Sequence, residues 1–274
     1  MPFDKKNIPG KLSPGETVGV IAPAGPVSEE ETAPGISVLE ERGFIVRRGR
    51  HLYRKDGYLA GSDSGRVEDL HEMFSDPSVK AVLCARGGYG SMRLLENLDY
   101  DLIASHPKIF AGYSDITALL LSFYRRCRLV AFHGPMVRDC CCKGAGSMNL
   151  LLDVLQGKVF PAVSLSGPVV REGKAEGTLL GGNLTMLCHL AATPFMPSLE
   201  GCILFLEDRG EDLYRIDRML TQLALGGHLK GLAGLVGGDF TDCGDPEKVA
   251  ALLGDFSETI PVVTGLPVGH GSLN

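Results

Sequence analysis

Lys108-Ile109-Phe110-Ala111-Gly112-Tyr113-Ser114-Asp115-Ile116-Thr117 is the stretch on which the reading of this chain turns. It predicts a short buried strand, a tight glycine turn and a helix from Asp115 through Leu121. A serine in such a turn sits where the unpaired N–H groups of a helix start point. Its hydroxyl would be exposed, with donors at hand for an oxyanion, as a nucleophile requires. Ser114 or Asp115 could equally cap the helix. On these residues alone both roles stand.

Outward from this stretch the chain alternates strand and helix patterns. Thr17-Val-Gly-Val-Ile-Ala22 is almost wholly apolar, as a strand buried on both faces must be. A helix to about Arg42 is expected next, with Thr32 as N-cap and Pro34 in its first turn. Further strands are expected at Phe44–Arg47, Ala81–Cys84 and Leu129–His133, with a helix opened by Asp63 or Ser64 and another through Met92, Leu94 and Leu95. Alternating β and α with apolar strands implies a parallel sheet with right-handed crossovers, an α/β fold. The pattern weakens between about Arg138 and Ala175, with breaks at Pro161, Gly167 and Pro168. The expected organisation is therefore residues 1–140 as an N-terminal α/β domain carrying Ser114, 141–175 as a connection, and 176–274 as a C-terminal domain. In the last, the segment Gly177–Asn183 precedes a helix near Leu184–Ala192, and strands are expected at Cys202–Glu207, Leu232–Val236 and Pro261–Val263, alternating with helices.

Composition narrows the function classes. Apolar residues make up 44% and charged residues 22%, within the range of soluble globular proteins. A net charge of −6 without Lys/Arg runs argues against a nucleic-acid surface. No apolar run is long enough to span a bilayer, and no apolar segment follows Met1-Pro-Phe-Asp-Lys-Lys6, so neither membrane insertion nor a signal peptide is expected. Eight cysteines without a C-x-x-C pair suit buried thiols in a reducing, cytoplasmic compartment. Cys140-Cys141-Cys142 has no matching His or Cys group elsewhere and makes a poor tetrahedral metal set.

Ligands of open α/β sheets lie at the carboxyl ends of the strands. Ser114, Glu207 and His270 are each expected at such an end or turn. Serine, carboxylate and histidine form the inventory for acyl transfer: the histidine takes the serine's proton while the carboxylate fixes its tautomer. The order Ser…Glu…His is that of α/β-hydrolases, but the G-x-S-x-G elbow is absent. A chance coincidence of three such residues stands beside this reading, with Glu207 a solvated loop acid and His270 an idle side chain near the chain end. His133, at another strand end, is a rival base. Arg86-Gly-Gly-Tyr-Gly90 lacks the Lys-Ser/Thr of a phosphate loop. Its glycines could instead bring a second backbone donor to the Ser114 turn.

The segments Gly19-Val-Ile-Ala-Pro-Ala24, Ala85-Arg-Gly-Gly-Tyr-Gly90, Gly112-Tyr-Ser-Asp-Ile-Thr117, His133-Gly-Pro-Met136, Gly181-Gly-Asn-Leu184, Phe205-Leu-Glu-Asp208 and Val268-Gly-His-Gly271 together resemble the LD-carboxypeptidase family of serine peptidases, which includes the microcin C immunity hydrolases. The resemblance runs in order from about residue 11 to the end. It implies Ser114 as nucleophile, with Glu207 and His270 completing the triad. The oxyanion donors it implies are the backbone N–H groups of Asp115 and of a glycine in the R-G-G motif, Gly88. It implies a flavodoxin- or amidotransferase-like N-terminal domain, a smaller C-terminal α/β domain and a homodimer. The implied reaction is hydrolysis of the bond before the terminal D-alanine of a murein tetrapeptide, in peptidoglycan recycling, with no metal or organic cofactor. The alternatives are an immunity hydrolase acting on acyl-sulfamoyl or phosphoramide adenylates, and a non-catalytic ligand-binding module. Arg86 is the candidate for holding a substrate's terminal carboxylate, because a guanidinium binds one bidentately, though a structural salt bridge is an equal use for it. The family pattern continues past this histidine into a further strand, whereas the sequence here stops at Asn274.

Overall fold

The computed structural model describes residues 6–159, 168–257, 259–271 and 274, and the chain divides into two units, Met1–Pro161 and Ala162–Asn274. The first contains β1 (Thr17–Ile21), α1 (Glu29–Glu41), β2 (Ile45–Arg48), α2 (Asp63–Ser75), β3 (Val79–Cys84), a 3₁₀ segment over Ser91–Asn97 and α3 (Tyr100–Ser105). It continues with β4 (Ile109–Gly112), a 3₁₀ turn over Ser114–Ile116, α4 (Thr117–Cys127), β5 (Phe132–His133), α5 (Asp139–Lys143) and α6 (Gly146–Leu155). The five strands pair in parallel in the order β2-β1-β3-β4-β5, the flavodoxin-like order.

The apolar run of β4 is unbroken because both faces of that strand are covered. Ile109 and Ala111 join Val18, Val20, Leu83, Ile36 and Leu39 in a core that also takes Met148 and Leu152 of α6. Phe110 points the other way and meets Phe123 of α4 at 4.9 Å and Phe74 of α2 at 6.2 Å between ring centroids. Helix α6 thus belongs to the first unit, although its sequence lies within the 141–175 stretch read as a connection; Pro161 and Gly167 of that stretch lie outside the described residues, as do residues 1–5 of the amino-terminal segment.

Three local expectations need correction. Helix α1 is capped by Ser28, not Thr32: the Ser28 side chain accepts from the Glu31 N–H and Glu31 reaches back to the Ser28 N–H. Pro34 consequently lies inside the helix, not in its first turn. The segment through Met92, Leu94 and Leu95 is 3₁₀, not α. The strand expected over Leu129–His133 is reduced to Phe132–His133, with Leu129 making only an isolated bridge to Asn7.

The second unit contains β6 (Val169–Arg171), β7 (Thr178–Asn183), α7 (Leu184–Leu190), β8 (Cys202–Arg209), α8 (Leu213–Leu225), β9 (Gly234–Thr241), α9 (Pro246–Asp255) and β10 (Val262–Val263). Its sheet runs β6-β10-β9-β8-β7, parallel except for β6 at the edge. Leu204 and Leu206 of β8, Leu187 of α7, and Ile216, Leu220 and Leu223 of α8 are fully buried. All eight cysteines are free thiols; Cys141 and Cys142 on α5 are exposed and the other six are buried. No helix among the described residues is long and apolar enough to cross a membrane.

Lys108, just before β4, is buried and its ammonium donates to the carbonyls of Asp76 and Val79. Burial, with Lys80 and Arg47 nearby, brings it down from 10.5 to about 8. Between those two values the unfolded chain keeps a proton that the folded chain has released, so stability rises with pH across that window. Thermal unfolding of wild type and Lys108→Met across a pH series is expected to show a gap in Tm that widens in favour of wild type from about pH 8 to 10. A gap independent of pH would mean that this ammonium titrates as in the unfolded chain.

Candidate active site

Ser114 terminates the strand–turn element as the sequence suggested, but with a backbone that the sequence did not disclose. Its φ is +64°, in the left-handed region that serine seldom enters. Tyr113 before it is extended, the Ile116 N–H donates to the Tyr113 carbonyl at 3.2 Å, and the Thr117 N–H reaches the carbonyls of Ser114 and Asp115. The chain therefore reverses sharply at Ser114 and passes through the 3₁₀ turn into α4, where N–H groups and the helix dipole favour negative charge. Ser114 is half-buried.

The turn after β3 lies against this serine. Gly87 is buried, and a Cβ on it would stand 3.1 Å from the Ser114 Cβ and 3.3 Å from its Oγ. Gly88 has φ +107°, a conformation for glycine, and a Cβ there would meet the Gly25 Cα instead. The turn is tied to the loop after β1 by the Gly25 N–H to Gly87 carbonyl bond of 2.9 Å. Arg86 is half-buried and donates from Nη1 to the Pro26 carbonyl at 2.8 Å, so part of its guanidinium already serves the same loop. His133, the rival base, packs its ring against Tyr113 at 5.7 Å between centroids. The Tyr113 hydroxyl donates to Asp139 at 3.3 Å.

Glu207 and His270 meet within the second unit. The imidazole Nδ1 and Glu207 Oε2 are 2.6 Å apart, with the Glu207 side chain fully buried and that of His270 13% exposed. Two features of β9 make the meeting possible. The β8–β9 register shifts at this point: Leu206 pairs with Gly237 but Asp208 with Phe240, so Gly238 and Asp239 together span the step that Glu207 spans alone. The segment to His270 then runs beside β9, with the Leu266 N–H on the Gly237 carbonyl, the Asp239 N–H on the Val268 carbonyl, and a bridge between Asp239 and Gly269. Gly269, at φ +139°, passes so close that a Cβ would lie 2.9 Å from Glu207 Oε2. Burial pushes the Glu207 carboxyl up; the hydrogen bond and charge of His270 and the Asn183 side chain pull it down, and neighbouring Asp208 pushes it further up.

Asp208 has a different assignment. Its Oδ2 accepts from the Thr185 N–H at 2.9 Å and hydroxyl at 2.8 Å, and its Oδ1 from Asn183 Nδ2 and its own following N–H, both at 2.8 Å. Asn183 in turn caps α7 by accepting from the Met186 N–H. Asp208 is thus the anchor of a helix start, and Glu207 alone of the pair faces the histidine.

The residues nominated from sequence therefore form two groups: Ser114, Asp115, Gly88 and Arg86 in the first unit, and Glu207 with His270 in the second. A description of the LD-carboxypeptidase N-terminal domain matches residues 18–134, and one of the C-terminal domain matches residues 176–274. The probable murein peptide carboxypeptidase of Bacillus subtilis (strain 168) is 41% identical over 278 residues, covering 96% of this chain and 86% of that protein. The chain belongs to the LD-carboxypeptidase family. Among its relatives, the Microcin C7 self-immunity protein MccF of Escherichia coli is 27% identical over 94% of this chain and 87% of that one. A solved muramoyltetrapeptide carboxypeptidase from Oxalobacter formigenes superposes with a TM-score of 0.81 at 36% identity, covering 93% of this chain and 90% of its own.

Of the glycines expected to approach the Ser114 turn, Gly87 rather than Gly88 is the one that borders Ser114, and Ser91 and Thr185, whose roles depend on contacts distant in sequence, carried no signal in the sequence. The close fit at Gly87 yields a test. Gly87→Ala is expected to cost about 1–3 kcal/mol of stability by overpacking and to lower kcat by about tenfold or more by displacing the serine hydroxyl. Unfolding curves and turnover on one peptide substrate measure both; wild-type kcat in the folded variant would mean that this turn does not border the reacting atom.

Proposed function

We propose that the chain is a serine carboxypeptidase that removes the terminal D-alanine of a murein tetrapeptide with Ser114, His270 and Glu207 acting as one triad. The observation that carries the reading is the 2.6 Å contact between the His270 Nδ1 and a carboxylate with no exposed surface. An ionised Glu207 accepts from Nδ1–H, so the lone pair is left on Nε2, the tautomer a general base needs. The left-handed serine at a strand end supports it as the nucleophile. The family places the chain among peptidases, and identity is higher to the murein peptide carboxypeptidase of B. subtilis than to the microcin immunity protein.

In this mechanism the Ser114 Oγ attacks the carbonyl carbon of the scissile bond as His270 Nε2 takes the hydroxyl proton. The oxyanion formed accepts from the backbone N–H groups of Asp115 and Gly88. As the C–N bond breaks, His270 returns the proton to the departing amine of D-alanine. Water then hydrolyses the acyl-serine by the same steps, with His270 again the base. Arg86 is the proposed partner of the terminal carboxylate, with the Pro26 carbonyl orienting its guanidinium.

A hydrolysis panel tests substrate and mechanism together. Murein tetrapeptide is expected to be cleaved to tripeptide and D-alanine, and aminoacyl-sulfamoyl-adenosine to be a poor substrate; the reverse preference would assign the chain to the immunity hydrolases. Ser114→Ala is expected to fold and to be inactive, and near wild-type kcat in it would remove the serine mechanism. Glu207→Gln keeps the shape but offers an amide that can donate, so the histidine can settle in the wrong tautomer. A loss of roughly two to four orders of magnitude in kcat is expected. A loss under tenfold would leave His270 oriented by some other group. Asp208→Asn should instead lower thermal stability, because it weakens the α7 anchor.

A further inference from the structure

The turn after β3 spans the nucleophile and its neighbour. Its near end, Gly87, abuts Ser114. Its far end, Ser91, holds Asp115 by two hydrogen bonds: the Ser91 N–H donates to Asp115 Oδ2 at 2.9 Å, and the Ser91 hydroxyl donates to the Asp115 carbonyl at 2.5 Å. Ser91 has no exposed surface and Asp115 is 4% exposed, so neither bond is open to exchange with water. The same carbonyl accepts the Thr117 N–H that opens α4. From behind, fully buried Arg66 donates from Nη1 to the Gly90 carbonyl at 2.9 Å and the Pro23 carbonyl at 2.7 Å, and its other Nη pairs with Asp63. The residue preceding Ser91 is thereby fixed as well.

We propose that Ser91 is a positioning residue of the reaction: by gripping both the side chain and the carbonyl of Asp115 it sets the direction of the Asp115 N–H and ties it to the turn that supplies the second oxyanion donor. The inference rests on the serine carboxypeptidase reading. The Asp115 N–H belongs to the peptide that joins it to Ser114, and it can swing only if Ser114 ψ and Asp115 φ change together. The two Ser91 bonds fix Asp115 at one end of this peptide, and the peptide's own carbonyl, that of Ser114, accepts the Thr117 N–H, so the swing is opposed from both sides. Donors stabilise an oxyanion only when fixed at about 2.7–3.1 Å from where it forms. Gly88 lies three residues before Ser91 in the same turn. One hydroxyl thus couples the two donors, so that they are placed relative to each other before substrate arrives.

Ser91→Ala deletes the hydroxyl bond and leaves the backbone bond. The measurements are kcat and KM on the peptide substrate, the second-order rate of fluorophosphonate labelling at Ser114, and Tm. The labelling rate is included because a phosphonyl oxygen uses the same donors. A fall of about 10- to 100-fold in kcat and a similar fall in labelling rate are expected, with KM within about twofold of wild type. Ser91→Thr restores the hydroxyl and should recover most of the rate. Should the alanine variant not fold, Ser91→Cys keeps the volume with a weaker donor, and an intermediate rate is expected. A lower Tm with wild-type kcat and labelling, in either variant, would make Ser91 purely structural and overturn the inference. So would a rise in KM with kcat unchanged. Active wild type and inactive Ser114→Ala beside a fully active Ser91→Ala would sink this inference and leave the serine reading standing. Absence of both turnover and Ser114 labelling in wild type would overturn the two together.

Discussion

A serine in a left-handed backbone is the constraint around which the first unit is arranged. An L-residue in that region costs about 1–2 kcal/mol, and such strain persists only where the surroundings over-determine it. Here they do. β4 is paired on both sides, its residues are buried on both faces, and only Tyr113 and the Ser114–Ile116 3₁₀ turn separate it from α4. The aromatic contacts of Phe110 with Phe123 and Phe74 bind the strand to the helices beside it. The turn after β3 then closes over the reversal from outside, touching Ser114 at Gly87 and Asp115 at Ser91. Tight packing converts a strained φ into a fixed direction for a hydroxyl.

The second unit answers a different problem, a carboxylate without solvent. Isolated burial would drive Glu207 to protonate, which would weaken it as an acceptor and remove the charge that steadies an imidazolium. The imidazole supplies the compensating hydrogen bond and, when protonated, the opposite charge. A broken partner at such a site costs more than the pair contributes, because the remaining charge stays buried. The local irregularity of β9 and the close passage of Gly269 are the geometric conditions under which the two side chains reach each other.

Long apolar strands were legible in the sequence because a strand buried on both faces must be apolar throughout. Val18–Ile21 of β1, Ala81–Cys84 of β3, all of β4 and Cys202–Leu206 of β8 follow that rule, and the flavodoxin-like strand order agrees with the fold implied by the motifs. β5 and β6, of two and three residues, are too short to show any period. The start of α1 was misplaced because Pro34 suggested a first turn; the S-x-x-E pattern of Ser28 and Glu31 carried the better signal. Ser114, Glu207 and His270 were nominated by their positions at strand ends, and the structure pairs the last two. What no local pattern held was the register shift opposite Glu207, the left-handed φ of Ser114, or the clamp of Ser91 on a residue 24 positions away. These depend on which strands become neighbours, and that is decided by the whole sheet.

Glu207 and Asp208 are chemically near-identical acids one position apart, and the strand alone makes them different. Successive side chains of a strand leave it on opposite sides. One of these acids meets a histidine, the other the hydroxyl and N–H of Thr185 at a helix start. Their roles are a matter of parity. Slipping β8 by a single residue toward its start would bring Asp208 to the imidazole and carry Glu207 to the other face, at the position Leu206 now holds. Deleting one residue anywhere between Cys202 and Leu206 is an edit of that kind. For this part of the chain, length is more informative than composition: a gap within β8 would change which carboxylate the histidine sees.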